Sequence, residues 1–220
     1  MGKEGVKEPV DPASLARAAA EQSFVRVKRS TGDSIDGLIV GVTPRWTAMA
    51  VLADTIDLDG YALIRTPSVR RIKPLERRAQ FVRDVLQARD QWPPKPLPPF
   101  ERQAQLVRDV RQARDQWPPK PLRPLEEAND ETLIRVLSTS FPLMSVYTEG
   151  EHPDECYIGR PREVTTETVT LDEVDPSGRW LLAPTTYRLA KVTRIGVGGR
   201  YEEALQTVAA VSRPSGGSRR

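Results

Sequence analysis

Ile35-Asp36-Gly37-Leu38-Ile39-Val40-Gly41-Val42, Thr43-Pro44-Arg45 and Trp46-Thr47-Ala48-Met49-Ala50-Val51-Leu52 together read as two strands joined by a tight turn. Both runs are short, apolar and β-branched, and Thr-Pro-Arg breaks them where a chain must reverse. Glycine inside a strand commonly marks a bulge or a sharp bend, so Gly37 and Gly41 predict a strongly curved hairpin. The same grammar extends outward to Phe24–Val27, Tyr61–Ile64 and Val69–Ile72, with breaks at Thr31-Gly32-Asp33, Asp57–Gly60 and Thr66-Pro67-Ser68. Five short strands at this spacing predict a small β-barrel over residues 21–75.

Residues 142–197 repeat that pattern, with strands expected at Leu143–Tyr147, Cys156–Arg160, Thr168–Leu171 and Tyr187–Leu189. Ile64–Ile72 can be laid without gaps on Tyr187–Ile195, sharing arginine, valine and isoleucine positions. The expected fold class is therefore α+β, mainly β, with two diverged copies of one small barrel. A helix led by Asn129 or Asp130 precedes the second barrel, with Leu133, Ile134 and Leu137 turned inward. Another helix, Tyr201–Ala210, follows it. At the other end Asp11-Pro12 is a cap followed by a first-turn proline, which predicts a short N-terminal helix.

Between the barrels lies a tandem repeat. Leu75–Pro99 aligns with Phe100–Pro124 and only five pairs differ: Leu75/Phe100, Arg78/Gln103, Phe81/Leu106, Leu86/Arg111 and Pro98/Arg123. Half of the 20 prolines fall between Pro74 and Pro124. In each copy an apolar stripe (Val82, Val85, Leu86 and Trp92 in the first) predicts an amphipathic helix that ends before Pro93-Pro94. The proline run after it reads as a polyproline II spacer. A guanidinium in a dry site is costly, so Arg111 predicts that the second copy is an exposed insert while the first packs on a domain. The organisation expected is an N-terminal arm and helix over 1–20, a barrel over 21–75, a duplicated linker over 76–125, a second barrel with flanking helices over 126–211, and a basic tail over 212–220.

The hairpin Ile35–Val42 with Trp46–Leu52 resembles the Sm-like and SH3-like small barrels, in which a bent glycine-containing strand leads into an apolar one. The Sm family's base-binding Asn or Asp and its second Arg-Gly signature are absent; Arg70-Arg71-Ile72 only echoes the latter. Phe141-Pro142-Leu143, Cys156–Pro161 and Gly198–Leu205 make the second half similar to bacterial proteins with tandem small barrels that follow a Trp-Pro-Pro linker. That resemblance implies an architecture and no activity.

The 220 residues carry one cysteine, so no internal disulfide can form, and a lone thiol fits a reducing, cytoplasmic setting. No apolar run is long enough to span a bilayer, and residues 1–8 have no signal-peptide core. His152 and Cys156 are the sole nucleophile-and-base candidates, but surrounding carboxylates raise rather than lower a thiol's pKa. Cys156 reads instead as a small core residue, and no enzyme activity is expected. Asp172-Glu173-Val174-Asp175 is split between strand faces by alternation, so no metal site is expected, and no cofactor motif is present.

Charge is the informative property. The net +3 averages +2 over residues 21–75, +5 over 76–125 and −7 over 126–211. Arg26, Lys28, Arg29, Arg45, Trp46, Arg65, Arg70 and Arg71 form the expected binding surface of the first barrel, while Trp92 and Trp180 are expected to anchor packing. The expected role is a non-enzymatic binding or regulatory module working through a protein partner or self-association. RNA or DNA binding by the basic barrel is the alternative.

Overall fold

The β2–β3 hairpin forms as its sequence dictates, with β2 at Ile35–Val42 and β3 at Trp46–Leu52 in a computed structural model that describes residues 8–95, 97 and 129–212. Thr43 closes the turn: its backbone N–H donates to Trp46 O (2.7 Å), and its hydroxyl accepts from Trp46 N–H (2.8 Å). The register slips between Ile39 and Gly41, the bulge that the in-strand glycines imply. Gly37 has a steric reason as well, since a Cβ there would stand 2.1 Å from the Ala50 carbonyl oxygen.

The chain divides into two compact units, Met1–Glu127 and Ala128–Arg220. In the first, β1 (Phe24–Arg29), β2, β3, β4 (Leu58–Arg65) and β5 (Val69–Pro74) make antiparallel neighbours in the order β5-β1-β2-β3-β4. A 3-10 turn at Thr66–Ser68 links β4 to β5. Alternation divides β1 between two faces. Val25 and Val27 join Ile35, Ile39, Met49, Ile64 and Val69 on the inner one. Helix α1 (Pro12–Glu21) packs there through Leu15, Ala18 and Ala19; Asp11 caps it by accepting from Ala13 N–H (3.1 Å).

The outer face carries Phe24, Leu38 and Ala50 and is covered by helix α2 (Glu76–Ala88) through Val82 and Leu86. The first repeat thus packs on a domain, as expected. After α2, Trp92 anchors packing as expected, and the described part of the proline run lies against the unit, while Pro96, Pro98 and Pro99 fall outside the described residues. Trp92 packs on Phe24 with ring centroids 5.7 Å apart, Lys95 O accepts from Tyr61 OH (2.6 Å), and Leu97 is buried. One ring contact, one hydrogen bond and one buried side chain hold this stretch against the unit. The second repeat lies outside the described residues, so its expected exposure does too.

In the second unit, β6 (Met144–Tyr147), β7 (Tyr157–Val164), β8 (Thr168–Glu173), β9 (Thr185–Arg188) and β10 (Arg194–Val197) take the order β10-β6-β7-β8-β9. A 3-10 turn at Leu189–Lys191 links β9 to β10, so order and connection match the first unit strand for strand. Local devices match as well. Thr165 closes β7–β8 as Thr43 closes β2–β3, donating N–H to Thr168 O (2.9 Å) and accepting from Thr168 N–H (3.0 Å). Gly159 is the counterpart of Gly37, its absent Cβ leaving room for Asp172 O at 2.4 Å. Each 3-10 turn is pinned to its hairpin: Thr66 N–H donates to Arg45 O (2.9 Å) and Leu189 N–H to Glu167 O (2.7 Å).

Helix α3 (Asp130–Ser140) starts at Asn129, whose side chain accepts from Thr132 N–H (2.8 Å), and buries Leu133, Ile134 and Leu137. Helix α4 (Arg200–Ser212) buries Leu205 and Ala209 beside Leu143, Ile158 and Val174. The fold is mixed α+β with antiparallel strands. Among the described residues no helix is long and apolar enough to cross a membrane.

Candidate binding surface

The β1–β5 pairing builds a basic ladder. Arg26 stands opposite Lys73 and Lys28 opposite Arg71, and directly opposed residues share a face. Asp36 of β2 lies on the other side of Arg26 and takes a bidentate pair from it, at 2.6 and 2.7 Å. That hydrogen bonding raises the Arg26 pKa further. Lys28, Arg71 and Lys73 are exposed, and no carboxylate among the described residues pairs with them. β5 is the edge of this unit's strand order, where charged side chains also discourage unwanted strand pairing.

On the other face of the same edge, between α1 and β1–β5, runs a groove of about 390 Å³. Val10, Val25 and Ile72 give it apolar surface, and Arg17, Arg70 and Arg71 give it positive charge against Glu21 alone. Positions 14, 17, 18 and 21 line it from one face of α1, the three-and-four spacing of an α-helix, and Val10 lines it from the segment before the helix. That spacing was the available signal for Arg17, which the strand-centred reading missed. Arg70 is anchored by donating from Nη1 to Pro67 O (2.6 Å).

The other expected contact residues are placed elsewhere. Trp46 is 1% exposed and holds the start of β3, with the Arg65 guanidinium 4.0 Å over its ring, so it offers no free face for stacking a base. Arg29 is also buried, 4% exposed, donating from Nε (3.1 Å) and Nη2 (2.9 Å) to Asp33 O and so tying the β1–β2 connection. Arg29 points inward by the same alternation that buries Val25 and Val27, and Trp46 faces inward where the Thr43 turn starts β3. Arg45 is exposed on the β2–β3 turn, at the Trp46–Arg65 end. Of the eight expected residues, Arg26, Lys28, Arg70 and Arg71 gather at the β1–β5 edge.

The chemical candidates of the second unit are engaged otherwise. Cys156 is exposed and precedes β7 rather than entering the core, a correction that follows from the strand starting at Tyr157. Desolvation around its sulfur pushes the thiol above its ordinary value, which keeps it protonated at neutral pH. His152 stands edge-on to Tyr157, with Nδ1 3.9 Å from Glu155. Asp172 pairs with Arg160 (2.9 Å) and Arg162 (3.5 Å), while Glu173 accepts from Tyr187 OH (2.6 Å). Asp175 instead caps a turn through Ser177 N–H and Arg179 N–H. Among the described residues no cluster of His, Cys, Asp and Glu is arranged to hold a metal. Trp92 and Trp180 both serve packing; Trp180 donates to Ala209 O (3.1 Å).

Compared with known proteins, the chain matches no family model, no curated protein and no solved structure, and the chemistry of its own surface is what argues for a role.

Proposed function

We propose that the protein is a non-enzymatic binding module that docks an acidic, partly apolar protein segment on the β1–β5 edge of its first unit. The observation that carries this reading is an edge strand with exposed cations on one face and an apolar-floored groove on the other. Lys28, Arg71 and Lys73 would meet carboxylates, while Val10, Val25 and Ile72 would take an apolar side chain. A segment of alternating acidic and apolar residues offers both. A second copy of this chain is one such partner, because residues 126–211 carry −7.

The same strand order, hairpin closure and 3-10 connection in both units support tandem small barrels of the SH3-like kind as their common architecture. RNA or DNA binding is the second reading, favoured by the ladder's charge alone. Burial of Trp46 removes the aromatic platform that single-stranded nucleic acid uses. Fluorescence anisotropy with a labelled peptide of alternating Glu and Leu, run beside labelled poly-U, separates the two. Tighter binding of the peptide is expected, with affinity falling as salt rises. Poly-U binding alone would transfer the surface to nucleic acid, and no binding of either would end the proposal.

A further inference from the structure

The first repeat is held to the outer face of its unit by identifiable groups. Val82 and Leu86 are 1% and 0% exposed against Phe24, Leu38 and Ala50, and Trp92 closes over Phe24. Gln91 Oε1 accepts from Leu58 N–H (2.9 Å), and Arg89 donates to Thr55 O and Ile56 O (3.1 Å each) and pairs with Asp57. The second repeat carries Val107, Arg114, Gln116 and Trp117 at the places of Val82, Arg89, Gln91 and Trp92. Of the five differing pairs, Phe81 and Arg78 are exposed, Leu75 is half-buried, and Pro98 lies outside the described residues. Leu86, replaced by Arg111, is the one fully buried position that changes among the described residues.

We propose that this face is a shared docking site, with Phe100–Pro124 of the same chain as its alternative occupant and Arg111 as the residue that sets the preference. The second repeat brings the groups that the face recognises, but would place a guanidinium where Leu86 is dry. Covalent tethering keeps the competitor at high effective concentration, and the longer intervening loop costs little. Exchange would shift the docked segment by 25 residues along the chain and so shorten the connection leading to residue 129. This stands apart from the basic edge, which uses other residues.

A double-mutant cycle in the full-length chain tests it by thermal unfolding. Leu86→Arg alone is expected to lower Tm and to expose the Leu58 amide to hydrogen exchange. Arg111→Leu alone should leave Tm at or above that of the unmodified chain, and the double variant should recover Tm and Leu58 protection, independently of protein concentration. Residues in independent, non-contacting segments give additive effects. An equal drop for Leu86→Arg in both backgrounds therefore overturns the proposal, as does recovery that appears only on raising the concentration. If Leu86→Arg does not fold, a folded double variant supports the shared site and an unfolded one overturns it.

Discussion

Tyr187 shows how one side chain ties strand pairing to ionisation. Its hydroxyl donates to buried Glu173, its ring lies 4.8 Å from that of Tyr157, and its pKa is raised by burial first and by Glu173 second. Tyr147 is pushed up to about 12, mainly by burial, and Tyr157 to about 12, mainly by its hydrogen bond to Glu155. A raised tyrosine pKa means that folding favours the neutral phenol. The associated stability is complete below the ordinary value of 10.0 and is lost as pH rises through about 12. Unfolding followed against pH should show Tm falling over that alkaline window, and Tyr187→Phe should soften the fall. Removal of its hydroxyl should also cost about 1–3 kcal/mol at neutral pH, since Glu173 loses a donor in a buried place. A Tm flat from pH 10 to 12 would contradict the assignment. At this scale sequence was least informative: Trp46 reads as an exposed aromatic beside Arg45, and only the Thr43 turn and the Arg65 stack show why it faces inward.

Elements were far more legible, because turn chemistry and glycine placement are local properties. β2 and β3 are bounded as Thr43-Pro44-Arg45 implies, and α1 and α3 begin at the caps Asp11 and Asn129. β10 was harder: four residues, Arg194-Ile195-Gly196-Val197, run into Gly198-Gly199 and resemble a turn until their pairing with β6 is seen. The proline run after Trp92 is legible as extended chain, but composition does not name the neighbours it meets, such as the Tyr61 hydroxyl that donates to Lys95 O. Gly37→Ala and Gly159→Ala should each destabilise the protein by about 1–3 kcal/mol, since each Cβ would meet a strand carbonyl below contact distance. Gly150→Ala, with open space around its Cβ, serves as the control; equal stability of all three variants would refute the close approach. Deleting Phe100–Pro124 should leave Tm nearly unchanged, because the face is filled by the first repeat; a large drop would show that the second repeat supports the ground state.

At the scale of the whole molecule, the near-neutral charge conceals opposed regions: +5 over residues 76–125 and −7 over 126–211. Two units of the same strand order differ in what they display. The first sets Lys28, Arg71 and Lys73 along one face, and the second gathers Glu155, Tyr157, Glu173 and Tyr187. Sequence showed the charge and half of its placement, since Arg26, Lys28, Arg70 and Arg71 do meet at the β1–β5 edge. It could not show the groove, which exists only once α1 lies beside β1 and β5. The central claim is that this edge binds an acidic protein segment. The most direct measurement is the affinity of the labelled Glu-Leu peptide for the unmodified chain, the Lys28→Glu/Arg71→Glu variant and an Arg45→Glu control, with Tm recorded for each. The account predicts a loss of at least about tenfold for the edge variant at unchanged Tm, each tenfold step being about 1.4 kcal/mol, and a much smaller change for the control. Equal affinities for all three chains would contradict it.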